Sequence, residues 1–446
     1  MGRSAEPVNF WLLQTGEPLP VDGEIRPFRT GMLAHILKDR GHEVHWWAST
    51  FDHMKKTQRS QKSALVNIRP GMDLHLIKGP GYKKNISVQR IFHHRAVARE
   101  FTSLAERQSK PDLIISAMPT IELSHAAVNF GKRYGIPVIL DFRDMWPDIF
   151  LEALPESIRF LGRLAILPLL AEFRTTARSA FALYSITPEF LSWARTTAGR
   201  PENPCDRYFW HSYRDQDMRE DKLSNARNFW KQKGLDAERD FILCHFGVMS
   251  KKLDMAPVLA AARDFQDAGL PFKFVICGTG DLLEPYRKQA IDCKNVILPG
   301  WVGASEIKTL MNMSIAGLAP YHSRRDFLIS VPSKAVEYLA GGLPIVSSLG
   351  GSLENLLRQH GCGLTYRNGD SEDLKKNLLD LVRVPGKRDL MASQARKLFE
   401  TQFCADKVMV GMAESLERAV GHYRQTHLAL SGLPSPHLLG LNETLV

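Results

Sequence analysis

Ser330-Val331-Pro332-Ser333-Lys334-Ala335-Val336-Glu337-Tyr338-Leu339-Ala340-Gly341-Gly342-Leu343-Pro344-Ile345-Val346 reads as a helix opened by a proline, closed by two glycines and followed at once by a strand. Outward from it the same unit recurs. Strands are expected at Phe241 to Val248, Phe272 to Gly278, Asn295 to Leu298, Ile315 to Pro320, Leu343 to Ser348 and Cys362 to Tyr366. Helical patterns fill 254–268, 281–291, 304–312, 332–341, 351–359 and 371–382. Such βα alternation predicts a parallel, doubly wound sheet.

The N-terminal half alternates too. Apolar runs lie at Val8 to Leu13, Val44 to Ala48, Leu113 to Ser116, Val138 to Asp141 and Phe181 to Ile186, with helical patterns at 26–40 and 119–134. A length of 446 residues, 44% hydrophobic and 24% charged, suits two globular α/β domains. We expect an N-terminal domain over 1–205, a linker and C-terminal domain over 206–404, and a C-terminal helix and tail over 405–446. The polar stretch Gly199 to Arg239, with Pro201, Pro204 and charge-rich helical sequence, reads as the interdomain linker, and Leu428 to Val446 as a loose tail.

The net charge of +10 favours anionic partners without choosing among them. Six scattered cysteines fit neither a disulfide framework nor a metal site, and no histidine pair has zinc spacing with a third ligand. No run reaches ~18 uncharged apolar residues and no signal-peptide pattern opens the chain, so a cytoplasmic place is expected.

Two sheets of this class bind ligands at their strand carboxyl ends, so the expected architecture has two Rossmann-like domains facing a central cleft. In the opening segment the first-turn amides at Ser333 and Lys334 suit a phosphate. Glu337 lies on the Ser333 face, about 6 Å further along the helix, where a carboxylate can accept two ribose hydroxyls. An ordinary capped helix with a solvent-facing Glu337 is the plainer reading. At the end of a strand, Asp141 to Asp148 carries three carboxylates and Arg143, and there Arg143 or Asp144 suits donor phosphate or acceptor hydroxyl. Alternatively Arg143 and Asp144 pair with each other. Gly23-Glu24 closes the loop after the first strand, ahead of a helix whose N-terminus can also meet a diphosphate. Ile158 to Phe173, with Arg159, Arg163 and Arg174, and the basic stretch Arg90, Arg95 and Arg99 suggest a basic amphipathic surface for an anionic membrane, or else core packing.

The opening segment resembles the second half of the Glu-x7-Glu motif of retaining glycosyltransferases of the GT-B fold, family 4. Gly300-Trp301, Gly278-Thr279-Gly280 and Ile315 to Tyr321 are similar to the donor domain of that family. Gly16-Glu17-Pro18-Leu19-Pro20, Arg29-Thr30-Gly31, Gly41-His42-Glu43-Val44, Ser49 to His53 and Asp141 to Pro147 resemble the subgroup that builds bacterial O-antigen and capsule polysaccharide.

The resemblance implies that Glu337 holds the ribose of a UDP-sugar, that Ser333 and Lys334 meet the diphosphate, and that Trp301 and Val302 flank the base. Gly278 and Gly280 would line the donor. The first glutamate of the motif is replaced by Ile329, with Asp326 near enough to substitute. Where the family has an arginine this chain has Val248 and Met249, leaving Lys251 or Lys252 to neutralise the diphosphate. Asp144, Arg143 and Lys252 are the catalytic candidates. The implied reaction moves a hexose or N-acetylhexosamine to a polyprenyl-diphosphate-linked glycan at the inner face of the membrane, with no metal or other cofactor and no nucleic acid. A UDP-sugar 2-epimerase of the same fold and a non-enzymatic basic membrane- or RNA-binding protein are the competing readings. A nicotinamide dehydrogenase is disfavoured, because the first strand leads to no Gly-x-Gly-x-x-Gly.

Overall fold

The computed structural model describes residues 6–23, 26–152, 154–215 and 217–431. They form two compact units, one of residues up to Phe209 together with those from Met409 on, the other Trp210–Val408.

The strands of the first unit are β1 (Asn9–Leu13), β2 (Glu43–Ser49), β3 (Phe51–Asp52), β4 (Thr57–Gln58), β5 (Ala64–Arg69), β6 (Met72–Ile77), β7 (Leu113–Met118), β8 (Val138–Phe142), β9 (Ala182–Ser185) and β10 (Arg207–Tyr208). Eight of them make one sheet in the order β10-β9-β8-β7-β1-β2-β6-β5, and β3 pairs with β4 as a separate ribbon. All neighbours in the large sheet run parallel except β5, which returns antiparallel on β6. The central strands are covered on both faces, which is why they read as unbroken apolar runs. Trp11, fully buried, packs 4.9 Å from Trp47 and stacks at 5.4 Å on Phe130.

The second unit holds β11 (Phe241–Phe246), β12 (Phe272–Cys277), β13 (Val296–Gly300), β14 (Ser314–Ala319), β15 (Ile345–Ser347) and β16 (Gly363–Thr365). They form an all-parallel sheet ordered β13-β12-β11-β14-β15-β16. The order reverses between β11 and β14, and at such a switch point the crossovers leave to opposite faces and open a crevice at the strand ends.

Several boundaries differ from the sequence reading. β5 and β6 were not anticipated: β6 carries Asp73 and His75 within its apolar run, and β5 is an edge strand with an exposed Leu65. The stretch Gly199 to Arg239 is not a linker throughout, since Glu220–Gln232 is a helix of the second unit. Its Trp230 is fully buried and donates Nε1–H to the Glu306 carbonyl at 2.8 Å. The first unit runs to Phe209 rather than 205, and the second to Val408 rather than 404. The C-terminal helix, Ala405–Ser431, is not a separate appendage. From Met409 on it belongs to the first unit, where Ser415 bonds the Tyr184 hydroxyl at 2.6 Å and Glu417 takes Arg40 at 2.7 Å. The expected tail is helical as far as Ser431, and its remainder lies outside the described residues. No described helix is long and apolar enough to cross a membrane, and all six cysteines are unpaired.

Candidate functional site

In the second unit the predicted donor residues lie in the segments that follow the carboxyl ends of β11, β12, β13 and β14. The β11–β12 pairing continues past both strands, with the Gly247 amide donating to the Cys277 carbonyl at 3.0 Å and the Met249 amide to Thr279 at 2.9 Å. Backbones this close leave no room for side chains. A Cβ on Gly278 (φ 135°) would sit 1.8 Å from the Gly247 oxygen, and one on Gly280 (φ 146°) 2.3 Å from the Met249 oxygen. These glycines are therefore demanded by strand-end packing, whatever else they meet. The Gly278 amide also reaches the Gly300 carbonyl at 2.7 Å, and beyond it Trp301 stands 76% exposed while Val302 is buried.

The helix carrying the motif is Ser333–Ala340, with Pro332 at its N-cap, one residue earlier in the helix than the sequence reading placed it. Ser333 is exposed at its start. Lys334 Nζ lies 4.9 Å over the Phe246 ring, at the end of β11, and 3.1 Å from Glu337 Oε1. Glu337 does not face solvent: only 9% of its side chain is exposed. Tyr338, on the next position, anchors the helix over Gly317 and donates its hydroxyl to the Leu318 carbonyl at 3.1 Å. Asp326 is engaged by Arg324 at 3.1 Å. Lys251 and Lys252 are exposed, and Lys252 Nζ lies 5.6 Å over Phe327, which stacks on Tyr321 at 4.8 Å.

His245 was not anticipated. It is buried within β11 at the β11/β14 switch, where Nδ1 donates to the Leu318 carbonyl at 3.0 Å and Nε2 has no partner among the described residues. Burial pushes its imidazole down to about 4, so it is neutral at physiological pH. The signal was a lone histidine inside the apolar run Phe241 to Phe246.

In the first unit Arg143 does not pair with Asp144. Its Nε donates to Asp141 at 2.7 Å, Nη2 to Thr30 Oγ1 at 3.0 Å, and Nη1 to Glu17. Asp141, fully buried, also takes Arg29 through two bonds of 3.0 and 3.1 Å. Burial alone would raise the Asp141 carboxyl, but Arg29 and Arg143 together hold it well below the usual range. The guanidinium of Arg143 is thus engaged by Asp141, Glu17 and Thr30 at the β8 end. Asp144, next along, accepts the Met145 amide at 2.9 Å. Gly23 ends an exposed loop that Arg59 fastens through Asp22 at 2.6 and 2.7 Å, and Glu24 lies outside the described residues.

His53, His93 and His94, which show no zinc-ligand spacing in the sequence, lie near this end of the sheet. His53 Nδ1 lies 2.5 Å from the Tyr82 hydroxyl, His93 Nδ1 accepts the Gly81 amide at 3.0 Å, and His94 Nδ1 lies 3.3 Å from Glu122. Burial first, and neighbouring positive groups second, push His53 down to about 4 and His93 to about 3. Among the described residues no group of His, Cys, Asp and Glu has a metal-holding arrangement. A groove of about 380 Å³ between the helices Val88–Ala105, Ile121–Tyr134 and Leu167–Ser179 is lined by Arg95 and Arg99 of the expected basic surface together with Glu122, His125 and Glu172.

Residues 28–206 match the family model described as glycosyl transferase 4-like domain, and residues 226–398 that of glycosyl transferases group 1. The chain belongs to the GT-B glycosyltransferases. A curated relative, the amylovoran biosynthesis glycosyltransferase AmsK of Erwinia amylovora, is 30% identical over 179 residues, which are 38% of this glycosyltransferase and 43% of AmsK. The aligned stretch thus spans less than half of that relative. Among solved structures, the sucrose-phosphate synthase of Thermosynechococcus elongatus superposes with a TM-score of 0.67 at 14% identity, covering 95% of this chain and 100% of that one. HepE of Anabaena, solved in complex with UDP, gives 0.61 at 16% identity over 92% and 100%. At these identities the two structures share the fold with this glycosyltransferase.

Proposed function

We propose that this glycosyltransferase moves a hexose or N-acetylhexosamine from a UDP-sugar, with retention, to a lipid-linked glycan during cell-surface polysaccharide assembly. The observation that carries the donor half is the Lys334–Glu337 pair beside the end of β11. Glu337 is positioned on the helix to accept ribose hydroxyls, and Lys334, with the first-turn amides, to meet the diphosphate. Trp301 offers an exposed face for a base. Charge on the departing UDP is then stabilised by Lys334 and backbone amides, without a metal. The UDP complex of HepE and the polysaccharide named for AmsK support the donor and the pathway class. The acceptor half rests on Phe160, Leu161, Leu164 and Leu167, exposed large apolar side chains interleaved with exposed Arg163, near Arg174.

The deciding experiment is Glu337→Gln, which keeps volume and removes charge. Hydrogen bonds to charged groups contribute ~1.5–3 kcal/mol, so UDP should bind about 10- to 150-fold more weakly to the folded variant. A variant that binds UDP as the parent does would overturn the donor assignment. Turnover should survive EDTA, and UDP should be released only when acceptor is present.

A further inference from the structure

Two cations of the first unit converge on one aromatic ring. Lys56 Nζ lies 4.7 Å and the Arg90 guanidinium 5.5 Å from the Tyr82 centroid, and Arg90 also covers Trp146 at 4.4 Å. Asn85 ties them together, accepting Lys56 Nζ on Oδ1 at 2.5 Å and Arg90 Nη1 on its carbonyl at 3.0 Å. These residues come from the chain leaving β2, β6 and β8, so the cluster sits at the carboxyl end of the sheet, where α/β folds bind ligands.

Asp52 acts on Lys56, and Asp144 and Glu122 on Arg90, only from beyond ion-pair distance. Among the described residues no carboxylate lies within ion-pair distance of Lys56 or Arg90, and the nearby acids are engaged elsewhere. Asp52 accepts the Met54 and Lys55 amides and faces Arg59 at 3.4 Å, Glu122 faces His94, and Asp144 accepts Met145. Arg90 Nε donates to His94 Nε2 at 3.3 Å, and arginine can only donate. That nitrogen therefore carries no proton, and the single proton of neutral His94 sits on Nδ1, towards Glu122. His53, kept neutral by burial, adds no charge. Burial, and then the charge of Arg90, depress the Lys56 ammonium below its ordinary value. Lys56 is also the one non-glycine among the described residues with positive φ, 57°. A side chain pays for such backbone strain only where the surrounding structure holds it. Met54, two residues before Lys56, Ile86, next to Asn85, and Val88, two residues before Arg90, are exposed.

We propose that Lys56 and Arg90, held on the Tyr82 ring, bind the phosphate groups of a prenyl-linked acceptor whose apolar chain runs over Met54, Ile86 and Val88. The juxtaposition of cations lacking a carboxylate at ion-pair distance with exposed apolar neighbours selects a phosphorylated amphiphile over a free sugar or a bare phosphate. The proposal rests on the lipid-acceptor reading above and specifies its anchoring point.

The test uses the full chain with the donor site saturated by UDP, and geranyl diphosphate as probe, followed by calorimetry. Lys56→Gly removes the charge and suits the left-handed backbone, and Arg90→Met removes the other charge while retaining length. Each should weaken geranyl diphosphate at least 10-fold with UDP affinity unchanged, and geraniol should not bind. Unchanged geranyl diphosphate affinity in Lys56→Gly overturns the proposal, even should Arg90→Met fail to fold. Loss of binding to phosphatidylglycerol vesicles with retained geranyl diphosphate affinity also overturns it, assigning the cations to membrane headgroups. Failure of the donor reading would show separately, as unaltered UDP affinity in Glu337→Gln.

Discussion

Asp141 has no exposure to water and two guanidinium groups against it, and the stability of the β8 end depends on that charge. Breaking a buried ion pair by removing one charge typically costs ~3–5 kcal/mol, because the partners are left buried and uncompensated. Asp141→Asn should lose about that much at pH 7 in urea unfolding. Its folded carboxyl is held below the ordinary value of about 4, so the contribution is complete above roughly pH 5 and is lost as pH falls through and below 4. The gap between parent and variant should accordingly narrow from pH 5 to pH 3; a constant gap would mean that the network does not act through this charge. The sequence flagged Arg143 and Asp144 but not their partners. Arg29 is 112 residues from Asp141 and Glu17 is 126 from Arg143, so no local pattern could join them.

Elements were more legible than contacts. Every strand of the second sheet was found as an apolar run, and the inner ones need no alternation because both of their faces are covered. The hairpin β5–β6 escaped because β5 is a partly exposed edge whose pairing is antiparallel, and the helical sequence within Gly199 to Arg239 was assigned to the linker because its polar face outweighs the buried Ala226 and Trp230. Gly278 is a place where element geometry dictates residue type. Its positive φ alone disfavours a side chain by ~1–3 kcal/mol, and the Gly247 oxygen occupies the Cβ position. Gly278→Ala should therefore prise β11 and β12 apart at their carboxyl ends. The expected result is a lower melting temperature together with weaker UDP binding. A parent-like thermal scan would show that the two strand ends separate without cost.

At the scale of the molecule, the charge of +10 and the exposed Phe160, Leu161, Leu164 and Leu167 predict reversible membrane contact in which both terms are needed. The protein should sediment with anionic vesicles at low salt and be released near ~0.5 M, where the screening length falls to only a few Å. Partitioning that is absent or insensitive to salt would count against a basic apolar face.

By itself the sequence determined that there are two doubly wound α/β units and that the Ser333–Ala340 helix is a donor-binding candidate, because apolar period, helix caps and a short motif are written in neighbouring residues. Tertiary structure alone decided that the helix from Met409 on returns to the first unit, that Glu337 is covered and held by Lys334, and that Arg143 is engaged by Asp141 and Glu17. It alone set Lys56 and Arg90 on one tyrosine ring. Burial and charge pairing depend on groups brought together from distant parts of the chain, and a linear pattern carries no record of which of them meet.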